Sequence, residues 1–157
     1  METPCKIIQL QPEAYDKCGG VFDDGQPHAM LWREQIENGD RIRFFYIENG
    51  NYLAQCDLVT NYGSRNINDE TDYTIAGRRV YLSRLEVNDG ERRKGIGRKM
   101  VDFVCETARK WGYEEISVGV NLDNVIAKHL YDKAGFTTVI YSGEDKHGKF
   151  EKLLKIL

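Results

Sequence analysis

The sequence predicts a single α/β (α+β) domain covering residues 1–157, and three observations lead there. Residues 79–121 hold two strand-like runs joined by an amphipathic helix, a β-α-β unit whose strands must lie parallel. Asn49-Gly50 sits between two β-rich runs and supplies the positive φ angles of a tight hairpin. The chain is 157 residues long and 41% hydrophobic, enough for one compact core and too short for two comfortable ones.

Taken in order, "CKIIQL" reads as a first strand. Pro12, tolerated in a first helical turn, opens "PEAYDKCGGVFDD" as a helix that Gly19-Gly20 ends. "PHAMLWREQIENG" repeats the pattern, with Ala29, Leu31, Trp32 and Ile36 as its apolar face and Gly39 as its stop. The hairpin follows, and then the polar, irregular run 63–78 reads as a loop. After the strand at 79–88, Met100, Val101, Val104, Cys105, Ala108 and Trp111 recur at helical spacing, so this face is buried and Cys105 is a core residue. "EEISVGVN" is a strand, and "NVIAKHLYDKAGF" is a second amphipathic helix with Gly135 as its left-handed cap and Phe136 folding back on it. "TTVIYSGEDKHGKFEKLLKIL" closes the chain with two strand-like runs, although "FEKLLKIL" also fits a helix.

The net charge of −3 argues against a non-specific hold on nucleic acid. Four scattered cysteines without a C-x-x-C pair suggest neither a disulfide framework nor a zinc site, and no metal is expected. No apolar run reaches the ~18 residues of a membrane span, and the first residues lack a leader pattern, so a cytoplasmic location is the expectation.

Against that acidic background, "ERRKGIGRK" carries five cations and one anion where a strand hands over to a helix. A glycine turn at a helix N-terminus presents free N–H groups and the positive end of the helix dipole, which together make an anion site. The spacing is not that of a Walker A loop, since no Lys-Ser or Lys-Thr follows the second glycine. Nor is it a dinucleotide fingerprint, since Met100 stands where a third glycine belongs.

Arg92, Gly95 and Gly97 instead match Q/R-x-x-G-x-G/A, and Asn124, Ala127 and Tyr131 followed by "AGF" match N-x-x-A-x-x-x-Y. Over residues 79–136 the chain thereby resembles the GNAT family of acetyl-CoA-dependent N-acetyltransferases, and its order of elements resembles that fold throughout. The resemblance implies a central mixed, largely antiparallel sheet of about seven strands flanked by about four helices. It implies that the backbone from Arg92 through Arg93, Lys94, Gly95, Ile96 and Gly97 to Arg98 cradles the pyrophosphate of coenzyme A. Main-chain groups of Leu85 and Val87 would pair with the pantetheine arm as an added strand, assisted by Asn124. Tyr131 would protonate the departing sulfur, and Glu86 is the candidate general base, with a bound water relayed by backbone carbonyls as the alternative. Arg84, unusual on that strand, is a candidate contact for an acidic substrate. The implied reaction is direct transfer from acetyl-CoA to a primary amine, in the first instance a small molecule, and a homodimer is possible. A protein or peptide acceptor, or a non-catalytic acyl-CoA-binding module, are the alternatives.

Overall fold

A computed structural model describes residues 5–62, 69–91 and 95–157. Seven strands form one sheet: β1 (Cys5–Gln9), β2 (Arg41–Glu48), β3 (Asn51–Val59), β4 (Arg79–Val87), β5 (Glu115–Asn121), β6 (Thr138–Asp145) and β7 (Gly148–Ile156). Their spatial order is β1-β2-β3-β4-β5-β7-β6. Every neighbouring pair is antiparallel except β4 and β5. The α-helices are α1 (Ala29–Asn38), α2 (Ile96–Lys110) and α3 (Val125–Ala134).

The expected hairpin is present: Glu48 pairs with Asn51 around Asn49 (φ 53°) and Gly50 (φ 76°). The helical stops also fall as read. Gly39 and Gly135 cap α1 and α3 in the left-handed conformation, and the Phe136 N–H donates to the Tyr131 carbonyl at 2.9 Å. The segment opened by Pro12 differs from the expected α-helix. It runs as one 3₁₀ turn, Pro12–Ala14, and then a π-helical turn, Tyr15–Gly19. Gly19 packs so tightly on the Tyr15 ring that a Cβ there has no space, which accounts for the glycine. "FEKLLKIL" is strand, because β5 offers a full antiparallel ladder from Glu115↔Ile156 to Asn121↔Phe150.

The main core lies between one sheet face and α2 and α3. Met100, Val101, Val104, Cys105 and Ala108 are buried in it, and burial pushes the Cys105 thiol up to about 11. Trp111, at the end of that face, stays partly exposed beside the Phe44 ring. The opposite face carries a smaller core of Leu10, Ile36, Phe45 and Ile47 under α1. Here the apolar face expected of α1 is thinner: Ile36 is buried, but Leu31 is half exposed.

Between α1 and the sheet lies a buried ion cluster. Asp57 accepts from Arg41 Nη1 at 2.6 Å and from Arg43 Nε and Nη2 at 2.8 and 2.9 Å. Arg43 also donates to the Gly19 carbonyl at 2.8 Å and to Asp23 at 2.7 Å. Truncating one member of a buried pair leaves its partner's charge uncompensated. Asp57→Ala is therefore expected to lower unfolding free energy by about 3–5 kcal/mol, read from urea denaturation.

Candidate active site

Strands β4 and β5 pair only from Arg79↔Glu115 to Leu82↔Val118. Beyond Leu82 they diverge, because β4 bulges. Its register with β3 shifts between Gln55↔Glu86 and Asp57↔Ser83, and Arg84 takes φ 58°. A non-glycine residue in this left-handed region costs roughly 1–2 kcal/mol. Its side chain has compensating partners. Arg84 Nη2 donates to Asp23 at 2.6 Å and to the Phe22 carbonyl at 2.9 Å, Nη1 donates to Glu86 at 3.1 Å, and the guanidinium lies 3.8 Å over the Trp32 ring. Arg84 is thus turned inward and held, not presented to an acidic substrate.

Asp23 is the hub on the other side, accepting from Tyr15, Arg43 and Arg84. Burial alone would raise its carboxyl. The hydrogen bonds and charge of Arg43, with those from Arg84 and Tyr15, overcome that and hold it below the ordinary 3.8.

The divergence opens a cleft of about 290 Å³ lined by Ser83, Leu85 and Glu86 of β4, Val118–Asn121 of β5, and Asn124, Ala127 and Tyr131. Tyr131 is 6% exposed, and its ring meets Phe136 edge to face at 5.7 Å. Burial raises its phenol well above 10, with the nearby Tyr81, Cys56 and Glu86 adding in the same direction. The Asn124 side-chain oxygen accepts from the Ala127 N–H at 3.1 Å, capping α3. Its amide nitrogen carries two further donors at the edge of the cleft. The Tyr73 hydroxyl abuts β5 so closely that Gly119 has no room for a Cβ.

Helix α2 begins beside Val87 of β4 and Leu130 of α3. Gly95 is its N-cap at φ 79°, and among the described residues nothing lies within 4 Å of where its Cβ would be and no side chain caps the helix. The first-turn N–H groups of Ile96, Gly97 and Arg98 precede the first intrahelical bond, from Lys99 N–H to the Gly95 carbonyl. A Cβ on Gly97 would come within 3.4 Å of Leu130 and 3.9 Å of Val87, so the glycine lets the helix start close to β4 and α3. Arg98 is paired with Asp102 at 2.9 Å on the exposed side. The expected contributions of Arg92, Arg93 and Lys94 lie outside the described residues. The structure thus brings Leu85, Glu86, Asn124 and Tyr131 to one cleft; Val87, Gly95, Ile96 and Gly97 do not line it, but Gly97 lies against Val87, the residue that follows Glu86 on β4. The edge that β4 turns to the cleft, the cleft itself and a helix N-terminus without a side-chain cap among the described residues fit a long cofactor that ends in phosphates.

Residues 7–136 match the model of the Acetyltransferase (GNAT) family, and the chain belongs to that family. Over 73 residues it is 40% identical to the chloroplastic GCN5-related N-acetyltransferase 6 of Arabidopsis thaliana, a match taking in 46% of this chain and 23% of that protein. The chain spans under a quarter of the length of the curated relatives it matches. Its fold is that of an IAA acetyltransferase from Bacillus cereus, at 18% identity, TM-score 0.73, 98% of this chain and 100% of the other. It is equally that of a GNAT family acetyltransferase from Elizabethkingia anophelis with acetyl-CoA bound, at 13% identity, TM-score 0.70 and 98% of both chains.

From the sequence, Asp23 is one of several acidic residues that would suit a cationic amine and Trp32 a member of an apolar helix face; their shared contact with Arg84, and Gln55 altogether, were not foreseen. Gln55 is fully buried beside the bulge, and neither of its side-chain amide atoms has a hydrogen-bond partner among the described residues. An unpartnered buried amide destabilises, so an apolar replacement of similar size is neutral or favourable. Gln55→Leu is expected to keep or raise the melting temperature, by up to about 1 kcal/mol of stability, measured by calorimetry. A fall of several degrees would show that the amide is bonded in solution.

Proposed function

We propose that this protein is an acyltransferase that moves an acetyl group directly from acetyl-CoA to the primary amine of a small molecule. The observation that carries the reading is the divergence of β4 from β5 beyond Leu82↔Val118, with Tyr131 in the gap and the α2 N-terminus beside Val87 of β4. Acetyl-CoA would supply an activated thioester. The first-turn amides of α2, from Ile96 to Arg98, would hold its phosphates, with Arg92, Arg93, Lys94 and Gly95 completing the loop. Main-chain groups of Leu85 and Val87 would receive the amide-bearing arm as an extra strand edge, and Asn124 would donate to it from the other wall.

Glu86, 45% exposed at the cleft and held by Arg84, is the candidate to take a proton from the attacking ammonium. A β4 backbone amide near Leu85 would polarise the thioester carbonyl. Tyr131 keeps its proton throughout the neutral range, because burial disfavours the phenolate, and so has a proton to deliver to the departing sulfur. For a small amine, the candidate acceptor space is the open groove of about 620 Å³ on the other side of Asp23, where Asp16 and Asp24 lie among Lys17 and Arg33. All four cysteines are free, which supports a reducing compartment such as the cytoplasm.

Free-thiol release from acetyl-CoA, run over a panel of small amines and peptides, tests the reading. Turnover with small amines supports it, preference for peptides replaces the acceptor class, and binding without turnover leaves only a cofactor module. The Gly95→Pro, Gly97→Val double variant is expected to lose acetyl-CoA binding in calorimetry while its circular dichroism stays native. Proline cannot adopt φ 79°, and the valine would press on Leu130 and Val87. Tyr131→Phe is expected to lower kcat by about 10²- to 10⁴-fold at unchanged acetyl-CoA affinity. Since the phenol is raised above 10, the wild-type rate should show no loss from Tyr131 ionisation as pH rises to that value.

A further inference from the structure

Arg84 is the one described non-glycine residue besides the hairpin's Asn49 with a positive φ, and it lies in the middle of a strand. Its side chain joins three separate parts of the molecule and, unlike Arg41 and Arg43, reaches the candidate base. One terminal nitrogen reaches the Asp23 carboxylate and the Phe22 carbonyl, the other reaches Glu86, and the plane of the group covers Trp32 of α1. Asp23 is in turn 3% exposed and locked by Arg43, whose other partner, Asp57, sits on β3 beside the bulge. The bulge, the candidate base and the wall formed by Phe22, Asp23 and Trp32 therefore share one guanidinium.

We propose that Arg84, anchored by Asp23, is a positioning residue. It holds the Glu86 carboxylate at the mouth of the cleft and ties the acceptor-side wall to the β4 bulge, so that base and cofactor slot keep a fixed separation. The inference rests on the reading of Glu86 as the base. Only a planar fork meets these requirements: a lysine ammonium can pair with one carboxylate but cannot span Asp23, Phe22 and Glu86 while stacking on an indole. The left-handed backbone at Arg84 aims the side chain across the strand toward Asp23, which an ordinary extended residue at this place would not do.

The test is a double-mutant cycle on kcat, with acetyl-CoA affinity measured in parallel. Arg84→Gly removes the guanidinium but retains, without strain, the backbone conformation that makes the bulge. It is expected to lower kcat on the order of 100-fold while leaving acetyl-CoA affinity within a factor of about three. In a Glu86→Gln background the same change is expected to have little further effect, because the two residues act as a unit. Arg84→Lys is expected to recover only a minor part of the rate. If Arg84→Gly fails to fold, Asp23→Asn, which loses the anchoring charge at nearly constant size, takes its place with the same expectation. Multiplying effects in the cycle, or a loss of cofactor affinity equal to the loss of rate, would overturn the positioning role while leaving Glu86 as base. A wild-type kcat for Glu86→Gln would remove the base reading and, with it, anything for Arg84 to position.

Discussion

Parallel strands β4 and β5 exchange hydrogen bonds over only four residue pairs, and the sheet must hold together although the two strands part beyond Leu82 and Val118. The remainder of the molecule is arranged around that demand. On the far side of β4, β3 continues to pair as far as Ala54↔Val87, so β4 cannot simply fray. On the far side of β5, β7 pairs along all seven residues and holds that strand straight. Both walls of the cleft are therefore rigid, although the gap between them interrupts the sheet. An extended ligand with alternating amide groups would restore the missing ladder, which is why a cofactor with a pantetheine arm suits the site better than a compact metabolite.

What keeps the gap open is electrostatic more than hydrophobic. Three guanidiniums, of Arg41, Arg43 and Arg84, face three carboxylates, of Asp57, Asp23 and Glu86. Such a cluster adds little net stability over an apolar packing of the same volume, because desolvation offsets most of the attraction. Its consequence lies in geometry. Each charge is affordable only while the others are in place, so the wall around Asp23, strand β3 and the β4 bulge have one joint arrangement. The second sheet face thus differs in kind from the first, where Met100, Val104 and their neighbours pack by shape alone and tolerate small adjustments.

The legible part of the fold was the part encoded locally. Asn49-Gly50, Gly39 and Gly135 announce positive φ angles that no distant contact is needed to explain, and the spacing from Met100 to Ala108 names a buried helix face by itself. The resemblance carried the site as far as Leu85, Glu86, Asn124 and Tyr131, all of which share the cleft. Long-range decisions stayed hidden. No local pattern singles out Arg41, Arg43 and Asp57, and only the fold shows that they neutralise one another in the interior. "FEKLLKIL" has the spacing of either a helix or a strand, and the free edge of β5 decided it. The π-helical turn at Tyr15–Gly19 arises from packing Tyr15 on Gly19 and Asp23, a contact with no trace in the local pattern. Arg84 was visible as an anomaly, yet its meaning required Asp23, sixty-one residues away.

Burial of Tyr131 raises an objection to its role as an acid, since a phenol raised above 10 would have to protonate a thiolate whose conjugate acid is ordinarily near 8.5. Each unit of that gap is worth about 1.4 kcal/mol against transfer. The same interior answers the objection. Cys56, close enough to Tyr131 to influence its ionisation, has its own thiol pushed well above 9 by burial. Desolvation that disfavours a phenolate disfavours a thiolate in that place equally, so a sulfur anion generated beside Tyr131 would be far more basic than one in water. Tyr131 then needs no depressed pKa to act. As the donor proposed for the leaving sulfur, it would need only to be held within reach of that sulfur, at the buried side of the cleft where its own phenolate is disfavoured.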